Sequence, residues 1–178
     1  MIEKSTWEFI NTFAPWFAAI GTLAAVIVSL YLARQDRRIK LKVSAGHRML
    51  VTEGQQGKSP QYIVISVVNV GHREAKVTGI GWEVGLRKKI SAYQTVPRDG
   101  LSSTIPVKLE DGDEANYYIP LQGELKWIES FNNDILKPHP KFNLIFTKVV
   151  VFTSIGKVFK SKIEKGLQNK ILEVINQS

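Results

Sequence analysis

The chain has no cysteine, two methionines and three histidines among 178 residues. Without thiols there is no disulfide staple, no thiolate nucleophile and no cysteine-ligated zinc or iron–sulfur centre. His47, His72 and His139 fall in segments that read as loop or turn, and none has a second histidine at ligand spacing. No glycine-rich phosphate loop occurs, and Ser102, Ser103 and Ser154 have no base beside them at any motif spacing. The acidic group Glu110, Asp111, Asp113 and Glu114 lacks the spacing and flanking helices of a calcium loop, so it reads as a solvated turn. The sequence therefore names no catalytic residue, metal ligand or cofactor-binding residue, and the chain reads as a non-enzyme with no cofactor.

Charge is missing in one place. Phe9 to Ala33 is a run of 25 residues without a charged side chain. As a helix rising ~1.5 Å per residue it is long enough for a hydrocarbon core of about 30 Å. Pro15 is expected near the helix start, and Trp7, Trp16 and Tyr31 lie near the ends, where interfacial rings belong. A small domain has no room to surround such a helix on every side. A cleaved signal peptide fits poorly, because Glu3, Lys4 and Glu8 replace a positive leader and the run ends in SLYLARQDRR without a small-residue cleavage site. A retained transmembrane helix over 9–33 is the expectation. Ala14, Ala18, Gly21, Thr22, Ala25 and Ser29 form a small-residue stripe along it, which suits close packing against a second copy or another membrane protein.

The rest of the chain is of another kind: from Arg34 onward there are 23 basic and 14 acidic residues. Arg34, Arg37, Arg38, Lys40 and Lys42 cluster directly after the apolar run with only Asp36 opposing. The positive-inside bias then places residues 1–8 outside as a short tail and the carboxy-terminal domain in the cytoplasm, at the inner membrane of a prokaryote. The same five cations attract anionic headgroups of the lipid bilayer.

Residues 34–42 read as a basic juxtamembrane linker and 43–160 as a mainly-β domain. QYIVISVVNVG is apolar on nearly both faces, as a central strand is. AKVTGIGWEVG and KKISAYQTV continue as strands, with Trp82 expected in the core, and Asp99-Gly100 and Asp111-Gly112 mark turns. Residues 122–136 change to helical period, and Phe142 to Thr153 reads as one long strand that turns at 154–156 and returns through Val158 and Lys160. Residues 161–178 form an amphipathic helix through Ile163, Leu167, Ile171, Val174 and Ile175, free to pack on the sheet, on a neighbour or on the membrane. About seven short strands with glycine-rich turns predict an antiparallel immunoglobulin- or fibronectin-like β-sandwich, with a small β-barrel as the alternative.

Arg87, Lys88 and Lys89, beside Tyr93 and Trp82, are a candidate anion patch for a nucleotide, nucleic acid or lipid headgroup. The sequence supports two functional readings. One is a single-pass, membrane-anchored assembly protein, a homo-oligomer or a subunit of an inner-membrane complex. The other is a membrane-linked ligand sensor or toxin-like effector that binds a nucleotide or other anion. Its layout is similar to that of bacterial antiviral effectors joining membrane helices to a β-rich nucleotide-binding domain, an architectural likeness with no motif behind it. A membrane-held enzyme has the least support.

Overall fold

The computed structural model describes residues 4–36, 38–51, 57, 59–86, 89–121 and 126–177. It divides into two compact units, Met1–Arg38 and Ile39–Ser178.

The first unit is one helix, α1 (Lys4–Asp36), long and apolar enough over Thr12–Arg34 to cross a membrane. All its described side chains are exposed, so its apolar surface is not spent on a protein core. Because α1 begins at Lys4, Pro15 lies inside the helix and not in its first turn as expected. Its missing N–H leaves one carbonyl of the preceding turn without a helical donor, a defect that membrane helices tolerate.

The second unit holds two antiparallel sheets. β1 (Leu41–Met49), β2 (Gln61–Asn69) and β6 (Glu114–Pro120) form one in the order β1-β2-β6. β3 (Ala75–Val84), β4 (Ile90–Tyr93), β7 (Lys148–Thr153) and β8 (Val158–Lys162) form the other in the order β4-β3-β7-β8, and β5 (Val107–Leu109) pairs with the start of β3. The strands stay in two separate sheets and do not close into a barrel. Alternation sorts the side chains as expected. Ile63, Ile65 and Val67 of β2 are fully buried, each worth about 1.5–3 kcal/mol, while Tyr62, Val64, Ser66 and Val68 on the other face are half-buried. The first group shares one core with Ala45 and Tyr117 on the same sheet and with Val77, Ile80, Trp82, Val149 and Val151 on the facing one.

Helices close the open end of this core. α2 (Trp127–Phe131) runs into a π-helical turn (Asn132–Leu136), which brings Ile128, Phe131 and Leu136 inward. Residues 122–125 of the expected helix lie outside the described residues. The long strand expected from Phe142 is corrected: Pro140–Ile145 is a helix, α3, and β7 begins only at Lys148. Pro140 in its first turn favours a helix start. Leu144 is buried, Phe142 meets Phe146 one turn on, and Thr147 Oγ1 donates back to the Asn143 carbonyl to end the helix. The final helix, α4 (Lys165–Gln177), packs on its own domain, with Leu167 and Ile171 fully buried.

Both edges of the smaller sheet are covered by side chains and loops. On β6, Ser103 N–H donates to the Asn116 carbonyl, Asn116 N–H to Ser103 Oγ and Tyr118 N–H to Ser102 Oγ. On the β1 side, Glu164 N–H donates to the Ala45 carbonyl, Lys157 Nζ donates to the Ile39 carbonyl, and Arg48 makes a two-pronged pair with Glu164 at 2.9 Å.

Candidate functional site

The outer face of the larger sheet is the most distinctive surface of the second unit. On β7 and β8, Val149, Val151 and Phe159 face the core, so Lys148, Val150, Phe152, Val158, Lys160 and Lys162 alternate outward. Register sets them in rows: Lys148 lies opposite Lys162 and Glu83, Val150 opposite Lys160 and Gly81, and Phe152 opposite Val158 and Gly79. Tyr93 pairs with Gly81 from β4 and leans over Gly79 to stack on Phe152, with ring centroids 4.8 Å apart and planes 26° off parallel. Gly81 allows this approach, since a Cβ there would sit 2.3 Å from the Ala92 carbonyl oxygen. Tyr93 nevertheless remains 78% exposed.

Lysines share this face with the rings. Glu83, only 7% exposed, is the carboxylate of the β3 outer row. It accepts a hydrogen bond from Lys160 Nζ and lies 3.6 Å from Lys89 Nζ. The hydrogen bond from Lys160, aided by the charges of Lys160, Lys89 and Lys148 and opposed by burial, holds its carboxyl below the usual range. Lys76 and Lys108 pair farther along the same face, where Lys108 meets Glu74 at 3.2 Å. Lys76 and Lys162 have no carboxylate partner among the described residues.

Beside Tyr93 the chain leaves β4, passes Pro97 and Arg98, and turns back at Asp99-Gly100. Asp99 Oδ1 accepts from Leu101 N–H at 3.1 Å and so closes the turn. Between this loop and β3 lies a cleft of about 590 Å³ lined by Thr78, Tyr93, Thr95, Arg98, Ser103 and Thr104 among others. Among the described residues no acidic side chain lines it. Behind it, Gln94 Oε1 accepts from both Trp82 Nε1 at 2.9 Å and Trp127 Nε1 at 3.0 Å. This fixes the residue next to Tyr93.

No protein-family model and no curated protein matches the chain. Among solved structures it is similar to the X-ray structure of Northeast Structural Genomics Consortium target SoR45, at 10% identity and a TM-score of 0.30 over 72% of this chain and 84% of that one. A likeness that low carries no argument about fold or function.

Of the anticipated anion patch, Arg87 and Lys88 lie outside the described residues, and Lys89 joins the Glu83 cluster. Tyr93 shares that outer face, but Trp82 points inward at 2% exposure and is no part of it. On α1, Ala14, Ala18, Gly21, Thr22, Ala25 and Ser29 are all exposed, but Thr22 Oγ1 is engaged within its own helix, 3.0 Å from the Ala18 carbonyl and 2.9 Å from that of Ala19. Arg34 ends the apolar stretch, Arg37 lies outside the described residues, Arg38 and Lys40 precede β1, and Lys42 is exposed on β1 opposite Val68.

Several of the polar residues weighed for chemistry have structural partners. His47 lies on β1, not in a loop, with Nε2 3.1 Å from Gln61 Oε1. His72 meets Asp111 at 2.7 Å, Asp113 Oδ2 accepts from Glu110 N–H, and Ser66 Oγ donates to Glu114. Asp111 and Glu114 of the acidic group thus have separate partners outside it, and Asp113 closes the turn within it. Phe152 and Lys148 were not among the candidates in the sequence, although their outward alternation against Val149 and Val151 was available as a signal. Nothing local pointed to Arg98.

Proposed function

We propose that the chain is a single-pass, non-enzymatic membrane protein whose cytoplasmic β-sandwich serves as an interaction module in a membrane assembly. The sandwich is read as immunoglobulin-like: the orders β1-β2-β6 and β4-β3-β7-β8 parallel strands A-B-E and C′-C-F-G of that architecture. The observation that carries a binding role is the outer face of the larger sheet, where an exposed aromatic stack shares the face with outward lysines, while Asp113 and Ser102 are committed to a turn and a strand edge. The excess of Arg34, Arg37, Arg38, Lys40 and Lys42 after the apolar run supports the cytoplasmic orientation, and the small-residue stripe supports self-association or pairing with another membrane protein.

Crosslinking of the full-length protein in native membranes tests this. A defined multimer is expected, and Ala18, Thr22 and Ala25 changed together to Leu should dissolve it. A monomer under all conditions refutes the assembly role. Protease added outside intact spheroplasts should leave the β domain uncut, and its digestion there would refute the orientation. A second reading, the ligand sensor, is favoured by one specific observation: the cleft that Tyr93 and Arg98 line, which has no acidic side chain among the described residues.

A further inference from the structure

We propose that the cleft between β3 and the loop at 94–105 is a nucleotide-binding site, in which Tyr93 stacks on a nucleobase and Arg98 binds a phosphate. This rests on the sensor reading above and assigns its site. Three features of the cleft select that ligand class. The first is shape: about 590 Å³ is within the range of small-molecule sites and suits one nucleotide. The second is the aromatic wall. Tyr93 is already braced by Phe152 on one side, so little side-chain entropy remains to be lost when a base stacks on it, and its 78% exposure leaves ring surface available. The third is charge. Arg98 is exposed, its neighbour Asp99 is occupied with the Leu101 amide, and no carboxylate among the described residues lines the cleft to compete for the guanidinium. A guanidinium offers phosphate a two-pronged set of donors that a lysine cannot. The hydroxyls of Thr78, Thr95 and Thr104 add donors and acceptors for a sugar or for base edges.

The same chemistry is presented by a free nucleotide and by the end of a single-stranded nucleic acid. The outward lysines 148, 160 and 162 lie beyond Phe152 on the same face, where only the longer ligand would reach them. The full-length protein in detergent is titrated with ATP, GTP and UTP, with inorganic tripolyphosphate, with 5′-phosphorylated oligouridylate, and with anionic phospholipid vesicles. Saturable nucleotide binding is expected. Tyr93→Ala should weaken it about 5- to 150-fold, Tyr93→Phe should preserve it, and Arg98→Ala should weaken it about 10- to 100-fold. Arg98 is exposed, so Arg98→Ala should unfold at the temperature of the parent, and it decides the matter if Tyr93→Ala, which also loses the stack on Phe152, does not fold. Lys160→Ala with Lys162→Ala should weaken the oligouridylate alone if the source is a nucleic acid and neither ligand if it is a free nucleotide. Tripolyphosphate binding as well as ATP, binding unchanged in Tyr93→Ala and Arg98→Ala, or binding of vesicles only would each overturn the proposal. Multimers that persist without any nucleotide binding would remove this site and leave the assembly role standing.

Discussion

Tyr117 offers a test in which removing an atom should strengthen the protein. The residue lies on β6 at the centre of the core with no exposed surface, and its hydroxyl has no hydrogen-bond partner among the described residues. Burial pushes its phenol up to about 12. A hydroxyl taken from water without a partner costs about 1–3 kcal/mol, whereas the ring retains its packing when the oxygen is deleted. Tyr117→Phe should therefore raise stability by about 1–2 kcal/mol. For a unit of this size that is about 3–7 °C in unfolding temperature, measured by circular dichroism of the full-length protein in detergent. The pH dependence gives a second readout with a fixed sign. The phenol ionises near pH 10 when unfolded but only near 12 when folded, so above pH 10 the unfolded state holds fewer protons than the native one. Its contribution to stability is intact below pH 10 and drains away between about 10 and 12. Tyr117→Phe should lack that part of the alkaline slope. A variant less stable than the parent, with the slope unchanged, would refute the account of an unpartnered hydroxyl.

Three further outcomes concern β3 and the end of β2. Gly81→Ala should cost about 1–3 kcal/mol in thermal unfolding, because its Cβ meets the Ala92 backbone and not a movable side chain. Gly79→Ala, whose Cβ finds rings at 3.5 and 3.6 Å, should fall within about 0.5 kcal/mol of the parent. Asn69 is fully buried and donates to the Arg73 and Leu109 carbonyls at 2.9 Å while accepting from Gly71 N–H at 3.1 Å. Asn69→Ala should cost about 2–4 kcal/mol in denaturant unfolding, and a loss under 1 kcal/mol would show that the Asn69 network matters little.

The parts of the fold legible in the sequence are those where one period dominates. Ile63, Ile65 and Val67 against Val64 and Val68 read as a strand with two covered faces. The turn at 154–156 and the helix from Lys165 onward also obey local signals. The failure at Pro140–Ile145 has a physical cause: FNLIFTKVVVF is mostly apolar, and its polar residues, Asn143, Thr147 and Lys148, are too few to set either a strand or a helix period, so only the proline marked a helix there. The site was less legible still. Tyr93 and Phe152 are 59 residues apart in the numbering and meet only because β4 and β7 flank the same strand. Arg98 enters through a loop whose path is set by Asp99 and by the serines bonded to β6, interactions with no periodic signature.

The cover over β1 also sets an order of events during synthesis. β1 is made soon after α1, yet the groups that cover its outer edge arrive much later: Glu164 is separated from Arg48 by 116 residues and Lys157 from Ile39 by 118. Until they emerge from the ribosome, β1 can pair with β2 but presents its other edge to any passing strand. The nascent chain thus passes through a stage in which a half-built sheet depends on slow, distant contacts for protection. Chaperone demand should be concentrated in that interval and end once residues 157–164 are free to fold back.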